Sequence, residues 1–165
     1  MLETSVDEVA SALVNAKNLN AALKSFLKRE GNSAPHVATF AKEFRGVASK
    51  GKSEPIRLFV EQNYPRRAVY FLGLARYAYP ELVETAVGTI IERYAEEFNS
   101  TYEKTDSGIR VTNKAGFAKI VKEALSLIDE SISAAQAPSS NFMRNAIMAS
   151  VFEPDVLEEV VKIVA

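Results

Sequence analysis

Cysteine and tryptophan are absent from the 165-residue chain, and His36 is its one histidine. The absence of cysteine excludes a disulfide framework and any metal site built from thiolates. His36 stands beside a proline, with no neighbouring motif that would make it a base or a metal ligand, so we interpret it as a surface or helix-capping residue. We therefore expect neither a metal nor a cofactor.

Long apolar runs and catalytic motifs are also missing. No apolar stretch approaches the roughly 18–20 residues that cross a bilayer. The sequence contains no P-loop, no G-x-G-x-x-G, no G-x-S-x-G and no H-E-x-x-H. It also has no paired-carboxylate motif, and the acids on the expected helix at 81–98 are interpreted as a solvated or partner-facing surface. We therefore expect that the protein is not an enzyme.

The chain does have a strong concentration of positive charge. Residues 17–76 contain twelve Lys/Arg and four acids, a net charge of +8, whereas the whole chain carries −1. Such a block inside a nearly neutral protein indicates a polyanionic partner. Zinc-finger spacing, aromatic RNA-recognition signatures and basic-zipper heptads are absent. The expected binding mode is therefore contact with the phosphate backbone, independent of base sequence.

Eleven of these basic side chains are the candidate phosphate-binding residues. They are Lys24, Lys28, Arg29, Lys42, Arg45, Lys50, Lys52, Arg57, Arg66, Arg67 and Arg76. Arg66 and Arg67 fall at the expected start of a helix, where cations oppose the helix dipole unless an anion compensates. A phosphate there would be bound by free N–H groups and two guanidinium groups together. The alternative interpretation of the helix that begins at Arg66 is a core helix whose basic residues lie along a solvated edge and bind no anion.

The spacing of apolar residues is helical almost throughout and predicts an all-α helical bundle. A capping box at Ser5–Glu8 starts a first helix that we expect to end at Gly31. A second helix is expected from Ser33 and Pro35 to Gly51, and a short third from Ser53. Three longer helices are expected from Arg66 to about Tyr77, over 81–98 and over 113–135. After a linker at 137–140, a further helix runs through Phe142 to Val151, and the last begins at Pro154. Residues 101–111 break the pattern and predict a small hairpin or a loop, of which we favour a loop with some strand character.

Two segments carry a resemblance to a known protein family. The first is Pro65-Arg-Arg-Ala-Val-Tyr-Phe-Leu-Gly73, which precedes a long helix. The second is the tail from Glu153 to Ile163, whose expected helix begins at a proline followed by an acid. Together they resemble the central part and the C-terminal helix of the major coat proteins of rod-shaped and filamentous archaeal double-stranded DNA viruses. The similarity covers residues 55–80 and 150–165.

This resemblance implies a structural virion protein that binds and wraps linear double-stranded DNA, held in A-form, and assembles into a helical filament. Residues 1–52 would form an N-terminal helical arm that wraps the DNA, and residues 53–165 a helical-bundle coat domain. The protein partners would be neighbouring subunits and a paralogous coat protein in a heterodimer, or a second copy in a homodimer. The chain length and the 101–111 insertion favour the filamentous, heterodimeric group. The location would be the virion, assembled in the archaeal cytoplasm. The resemblance does not decide whether an envelope surrounds the capsid.

Two other classes of function stay open at this point. A small helical subunit of a cellular nucleoprotein complex, such as a CRISPR effector, also offers a basic helical face to a nucleic-acid backbone. A helical protein–protein adaptor would use no nucleic acid at all. Filament formation separates the coat protein from the subunit, and salt-dependent DNA binding separates both from the adaptor.

Overall fold

The structure of the chain, a computed structural model, describes residues 4–30, 35–135 and 141–164. These residues form an all-α bundle with one small antiparallel hairpin, which confirms the predicted fold class. In chain order the elements are α1 (Val6–Val14), α2 (Leu19–Glu30), α3 (Pro35–Ala48), α4 (Ser53–Asn63), α5 (Ala68–Ala78), α6 (Pro80–Asn99), β1 (Tyr102–Thr105), β2 (Gly108–Val111), α7 (Lys114–Ala134), α8 (Asn141–Val151) and α9 (Pro154–Val164). None of the described helices has the length and apolar character that a membrane span requires.

The predicted first helix is in fact two helices, α1 and α2. The capping box at its start is confirmed, because Ser5 Oγ accepts from the Glu8 N–H and the Glu8 carboxylate accepts from the Ser5 N–H. Asn15 ends α1, and its side-chain amide donates to the Ser11 carbonyl at 2.9 Å, which competes with continuation of the helix. The two helices then pack on different neighbours, α1 on α4 and α2 on α5. The polar residues Asn15, Lys17 and Asn18 between the helices, together with packing on different neighbours, thus divide the predicted single helix into two.

Of the two structures that the sequence allowed for residues 101–111, a small hairpin and a loop, the hairpin β1–β2 is the one that forms. Its register pairs Tyr102 with Val111 and Thr105 with Gly108. Gly108 has φ +141°, a backbone conformation that suits glycine and lets the chain enter β2 directly after the turn. The Tyr102 ring packs edge-on against Phe98 and Phe117, so the hairpin is held against α6 and α7. A short apolar anchor thus stabilises a pair of strands that would be marginal alone.

Gly31, Ser33 and the predicted linker at 137–140 lie outside the described residues. The other helices have the order that the sequence predicted. Pro80 starts α6 at its first helical position, and the side chain of Asn113 caps α7 by accepting from the Gly116 N–H at 3.0 Å. Proline and asparagine are thus the local signals that place these two helix starts.

The core is rich in aromatic rings in two places. In the N-terminal half, the buried ring of Phe40 lies 5.0 Å from the ring of Phe71 and 5.3 Å from that of Tyr70, centroid to centroid. In the C-terminal half, Phe98 stacks on Phe117 at 4.9 Å. Helix α8 contacts α1, α5, α6, α7 and α9 and so joins the two parts into one core.

The described part of residues 1–52 belongs to this same core. Leu23 and Phe26 of α2 and Phe40 and Phe44 of α3 are buried among residues of α4 and α5. An arm released from the bundle would expose these side chains to water, at about 1.5–3 kcal/mol for each large apolar side chain. The division at residue 52 into an arm and a coat domain stays a prediction.

We predict opposite effects for two glycine-to-alanine substitutions. A Cβ at Gly73 of α5 would lie 2.9 Å from Cε2 of the buried Phe26, whereas a Cβ at Gly88 on the exposed side of α6 would meet nothing within 4 Å. Gly73→Ala should lower the free energy of unfolding, since overpacking costs about 1–3 kcal/mol and exceeds the gain in helix propensity. Gly88→Ala should raise it by about 0.5–1 kcal/mol. Urea unfolding of both variants tests this, and equal effects would contradict the close contact of α5 with α2.

The second prediction concerns stability at alkaline pH. The Tyr79 hydroxyl donates to the Ala12 carbonyl at 2.6 Å, and burial raises the pKa of Tyr79 to about 12. An unfolded tyrosine has a pKa of about 10. Between these values the unfolded chain has lost the proton that the folded chain keeps, so stability falls as pH rises through this window.

Tyr79→Phe removes the titrating hydroxyl, so its free energy of unfolding should decrease less steeply than that of the wild type from pH 10 to 12. The variant also loses the hydrogen bond to Ala12 and should be less stable at neutral pH. Urea unfolding of both proteins at several pH values provides the comparison. Identical alkaline slopes would show that Tyr79 does not carry this dependence.

Candidate nucleic-acid interface

The apolar faces of α2 and α3 decide where their basic side chains lie. Ala22, Leu23 and Phe26 turn one side of α2 into the core, which leaves Lys24, Lys28 and Arg29 exposed. The same rule applies to α3, whose inward residues include Phe40 and Phe44 and whose Lys42 and Arg45 are exposed. The connection from α3 to α4 adds Lys50 and Lys52, which are also exposed.

These seven residues are exposed on elements that contact one another, since α2 packs on α3 and α3 on α4, and we call them the basic face. They are Lys24, Lys28, Arg29, Lys42, Arg45, Lys50 and Lys52. Residues 19–52 contain only Glu30 and Glu43 as acids, so their net charge is +5. Within the described residues, none of the seven forms an ion pair. Their charge is therefore available to an external anion.

Two candidate arginines are instead paired with acids of the same chain. Arg57 Nη2 lies 2.9 Å from Asp7 Oδ1, in a pair that is mostly exposed. Arg67 Nη1 lies 2.8 Å from Glu43 Oε2, and its guanidinium sits 6.0 Å from the centre of the Phe40 ring. Exposed pairs of this kind contribute about 0–1 kcal/mol, so a phosphate could replace either carboxylate at small cost.

The sequence analysis did not identify Glu43 and Asp7 as partners of these arginines. Glu43 is 24 residues from Arg67, and Asp7 is 50 residues from Arg57. No local spacing rule connects residues so far apart, since helical neighbours are three or four positions apart. The pairs arise only when α3 packs near the start of α5 and α1 packs on α4.

Arg66 and Arg67 lie at the start of α5, as the sequence predicted. Arg67 is the N-cap residue, with φ −121° and no side-chain hydrogen bond to the cap, and Arg66 precedes it and is exposed. The helix itself begins at Ala68. Two positive groups therefore adjoin the positive end of a helix dipole whose first N–H groups have no side-chain cap.

Arg76 lies apart from the other two arginines of this segment. It is in the last turn of α5, about 13 Å along the helix axis from Arg67. Its side chain is partly buried, and its Nε has no hydrogen-bond partner within the described residues. Its Nη2 lies 3.9 Å from the position of a Cβ on Gly73, the glycine that faces Phe26 of α2. The structure therefore places Arg76 beside the α2–α5 contact, with its side chain partly withdrawn from solvent.

Five acids of α6 and the single histidine are also exposed. Glu81, Glu84, Glu92, Glu96 and Glu97 are exposed along α6. His36 is exposed in the first turn of α3, where it lines no described pocket. Among the described residues, no three His, Asp or Glu side chains come together in an arrangement that could hold a metal ion.

The chain matches no protein-family model, and no curated protein and no solved structure is significantly similar to it. The resemblance to viral coat proteins therefore depends on the two segments named above. What the chain can do must be argued from its own surface.

We predict that Glu43→Gln strengthens binding to a short DNA duplex. The substitution releases Arg67 from its carboxylate partner and leaves the guanidinium beside the uncapped start of α5. One additional phosphate contact should make the log–log salt slope steeper by about 0.9. Fluorescence anisotropy with a labelled duplex at several salt concentrations measures the slope.

Glu61→Gln is the matched control for this experiment. Glu61 is exposed on α4 and, within the described residues, forms no ion pair, so its substitution changes the net charge equally without releasing an arginine. Its salt slope should equal that of the wild type. The same steepening in both variants would show that net charge, rather than Arg67, is responsible.

Proposed function

We propose that this chain is a structural nucleic-acid-binding protein, a coat protein that holds the backbone of linear double-stranded DNA and assembles around it into a helical virion. The observation that carries the proposal is the basic face on α2, α3 and their connection to α4, whose seven cations have no partner within the described residues. Such a protein needs an anion-binding surface and contacts between subunits. It needs no catalysis and no cofactor.

The positions of the aromatic rings favour a duplex over a single strand. Proteins that bind single strands without sequence preference stack bases on exposed aromatic side chains. The rings of Phe26, Phe40, Phe44, Phe59 and Phe71, on the helices that carry most of the basic residues, are buried. Tyr70 and Tyr77 of α5 are only partly exposed, so the lysine and arginine heads have little aromatic surface for stacking beside them, which suits a backbone whose bases are already paired.

Assembly would use apolar side chains that the bundle leaves exposed. Leu58, Val69 and Ile91 are 49%, 64% and 52% exposed, and these apolar side chains are available for contacts between subunits. The proposal includes a paralogous coat protein as the dimer partner, or a second copy, together with A-form DNA and a location in the virion. Weak backbone contacts repeated along a filament would become strong through multivalency.

One observation favours the alternative, a small helical subunit of a cellular nucleoprotein complex. The described part of residues 1–52 is packed into the core of the bundle instead of extending from it. A compact subunit that presents a basic face to a nucleic-acid backbone needs no extended arm. Negative-stain microscopy with linear DNA separates the two functions, since a coat protein forms long regular filaments and a complex subunit does not.

The proposal predicts DNA binding that depends on salt and not on base sequence. If about six cations of one subunit contact phosphates, the log–log salt slope should be about −5. Arg66→Ala/Arg67→Ala should weaken binding to all duplexes alike and make the slope shallower by about 1, because Glu43 holds Arg67 in the wild type and Arg66 supplies the contact that is lost. Titration of defined and random-sequence duplexes at several salt concentrations measures both quantities.

Lys119→Ala/Lys122→Ala provides the matched control, because it removes two exposed cations from α7, outside the positively charged residues 17–76. This control should leave the slope near that of the wild type. Affinity that is indifferent to salt, or a strong preference for one sequence, would contradict backbone binding. Equal effects of the two double variants would contradict the assignment of Arg66 and Arg67.

A further inference from the structure

A groove opens where the start of α2 meets the connection from α3 to α4. One wall consists of residues between Val14 and Lys24, and the other of residues between Ala48 and Ile56. Its least exposed lining residues are apolar, namely Val14, Ala16, Leu19, Ala48 and Ile56. The groove therefore combines an apolar lining with a rim open to water.

The charge in this groove is of one sign. Lys17, Lys24 and Lys52 line it, and no acid does so among the described residues. None of the three lysines forms an ion pair in the described part of the chain, and Glu54, the nearest acid in sequence, lies outside the lining. Like charges around one concavity focus a positive potential, which an anion in the groove would neutralise.

The backbone and the polar side chains of the rim add hydrogen-bond donors. Gly51, with φ +64°, turns the chain so that Lys52 enters α4 as an extended N-cap residue without a side-chain cap. The amides of Asn18 and Asn20 and the hydroxyl of Ser53 also line the groove. These groups can donate to phosphate oxygens once the ammonium groups have attracted a phosphate.

We infer that this groove is a binding site for one phosphodiester group of a nucleic acid. The phosphate lies among the ammonium groups of Lys17, Lys24 and Lys52, and the adjoining sugar rests on the apolar lining. The inference rests on the proposed function and deepens it by naming the point on the surface where the backbone is held most closely. It adds Lys17, which the sequence analysis left out, and separates Lys24 and Lys52 from cations that lie outside the groove.

A comparison of two triple variants tests the groove. Lys17→Ala/Lys24→Ala/Lys52→Ala removes its three ammonium groups. Lys28→Ala/Lys42→Ala/Lys50→Ala removes the same charge from exposed lysines on α2, α3 and the α3–α4 connection that lie outside the lining. The groove variant should bind a labelled duplex about tenfold more weakly than the control variant at equal salt, because it alone loses concerted charge-assisted hydrogen bonds. Circular dichroism checks that both variants are folded.

A second measurement uses a dinucleoside monophosphate, which contains one phosphodiester group and two sugars. Its titration into the wild type and into the control variant should shift the amide NMR signals of Gly51 and Ser53, and the groove variant should show no such shift. Absence of these shifts in the wild type would overturn the inference.

The two proposals can fail separately. Equal loss of duplex affinity in both triple variants would overturn the groove and leave backbone binding by the basic face intact. A wild type that binds no duplex but shows the Gly51 and Ser53 shifts would overturn the proposed function and retain the groove as a phosphodiester site.

Discussion

The ring of Phe40 is fully buried and lies within 6.2 Å, centroid to centroid, of five other aromatic rings. These rings belong to α2, α3, α4 and α5, so the contacts of this one ring fix the packing of four helices around a single point. Because each of these helices turns its aromatic and aliphatic side inward, its lysines and arginines are left outside. The basic face is thus a consequence of how the N-terminal half buries its apolar residues.

Electrostatics then divides the basic residues into two groups. Arg57 and Arg67 are neutralised by Asp7 and Glu43, whereas the cations of the basic face have no such partner in the described part of the chain. The acids of α6 do not contradict this division, since none of them forms an ion pair with these cations in the described part of the chain. A protein with a net charge of −1 can therefore still present a local surface that attracts a polyanion.

Much of the fold could be predicted because its signals are local. The capping box at Ser5, the proline at the start of α6 and Asn113 before α7 each act within one helical turn. The break between α1 and α2 was not predicted, although Asn15, Lys17 and Asn18 interrupt the apolar pattern there, because packing on different neighbours decides the direction of each helix. The sequence did not decide between a hairpin and a loop at 101–111, because only four residues form each strand and the support of the hairpin comes from Phe98 and Phe117 on other elements.

The amino-acid sequence by itself determined the helical class, the concentration of positive charge in residues 17–76 and the exposure of most of those charges, since period and composition are properties of neighbouring residues. Only the tertiary structure decided which charges act together. It paired Arg67 with Glu43 and set Arg76 beside the α2–α5 contact. It also brought Lys17, Lys24 and Lys52 around one groove. These relations join residues far apart in the chain, and such distances are set by the packing of side chains around a common core, which no local pattern encodes.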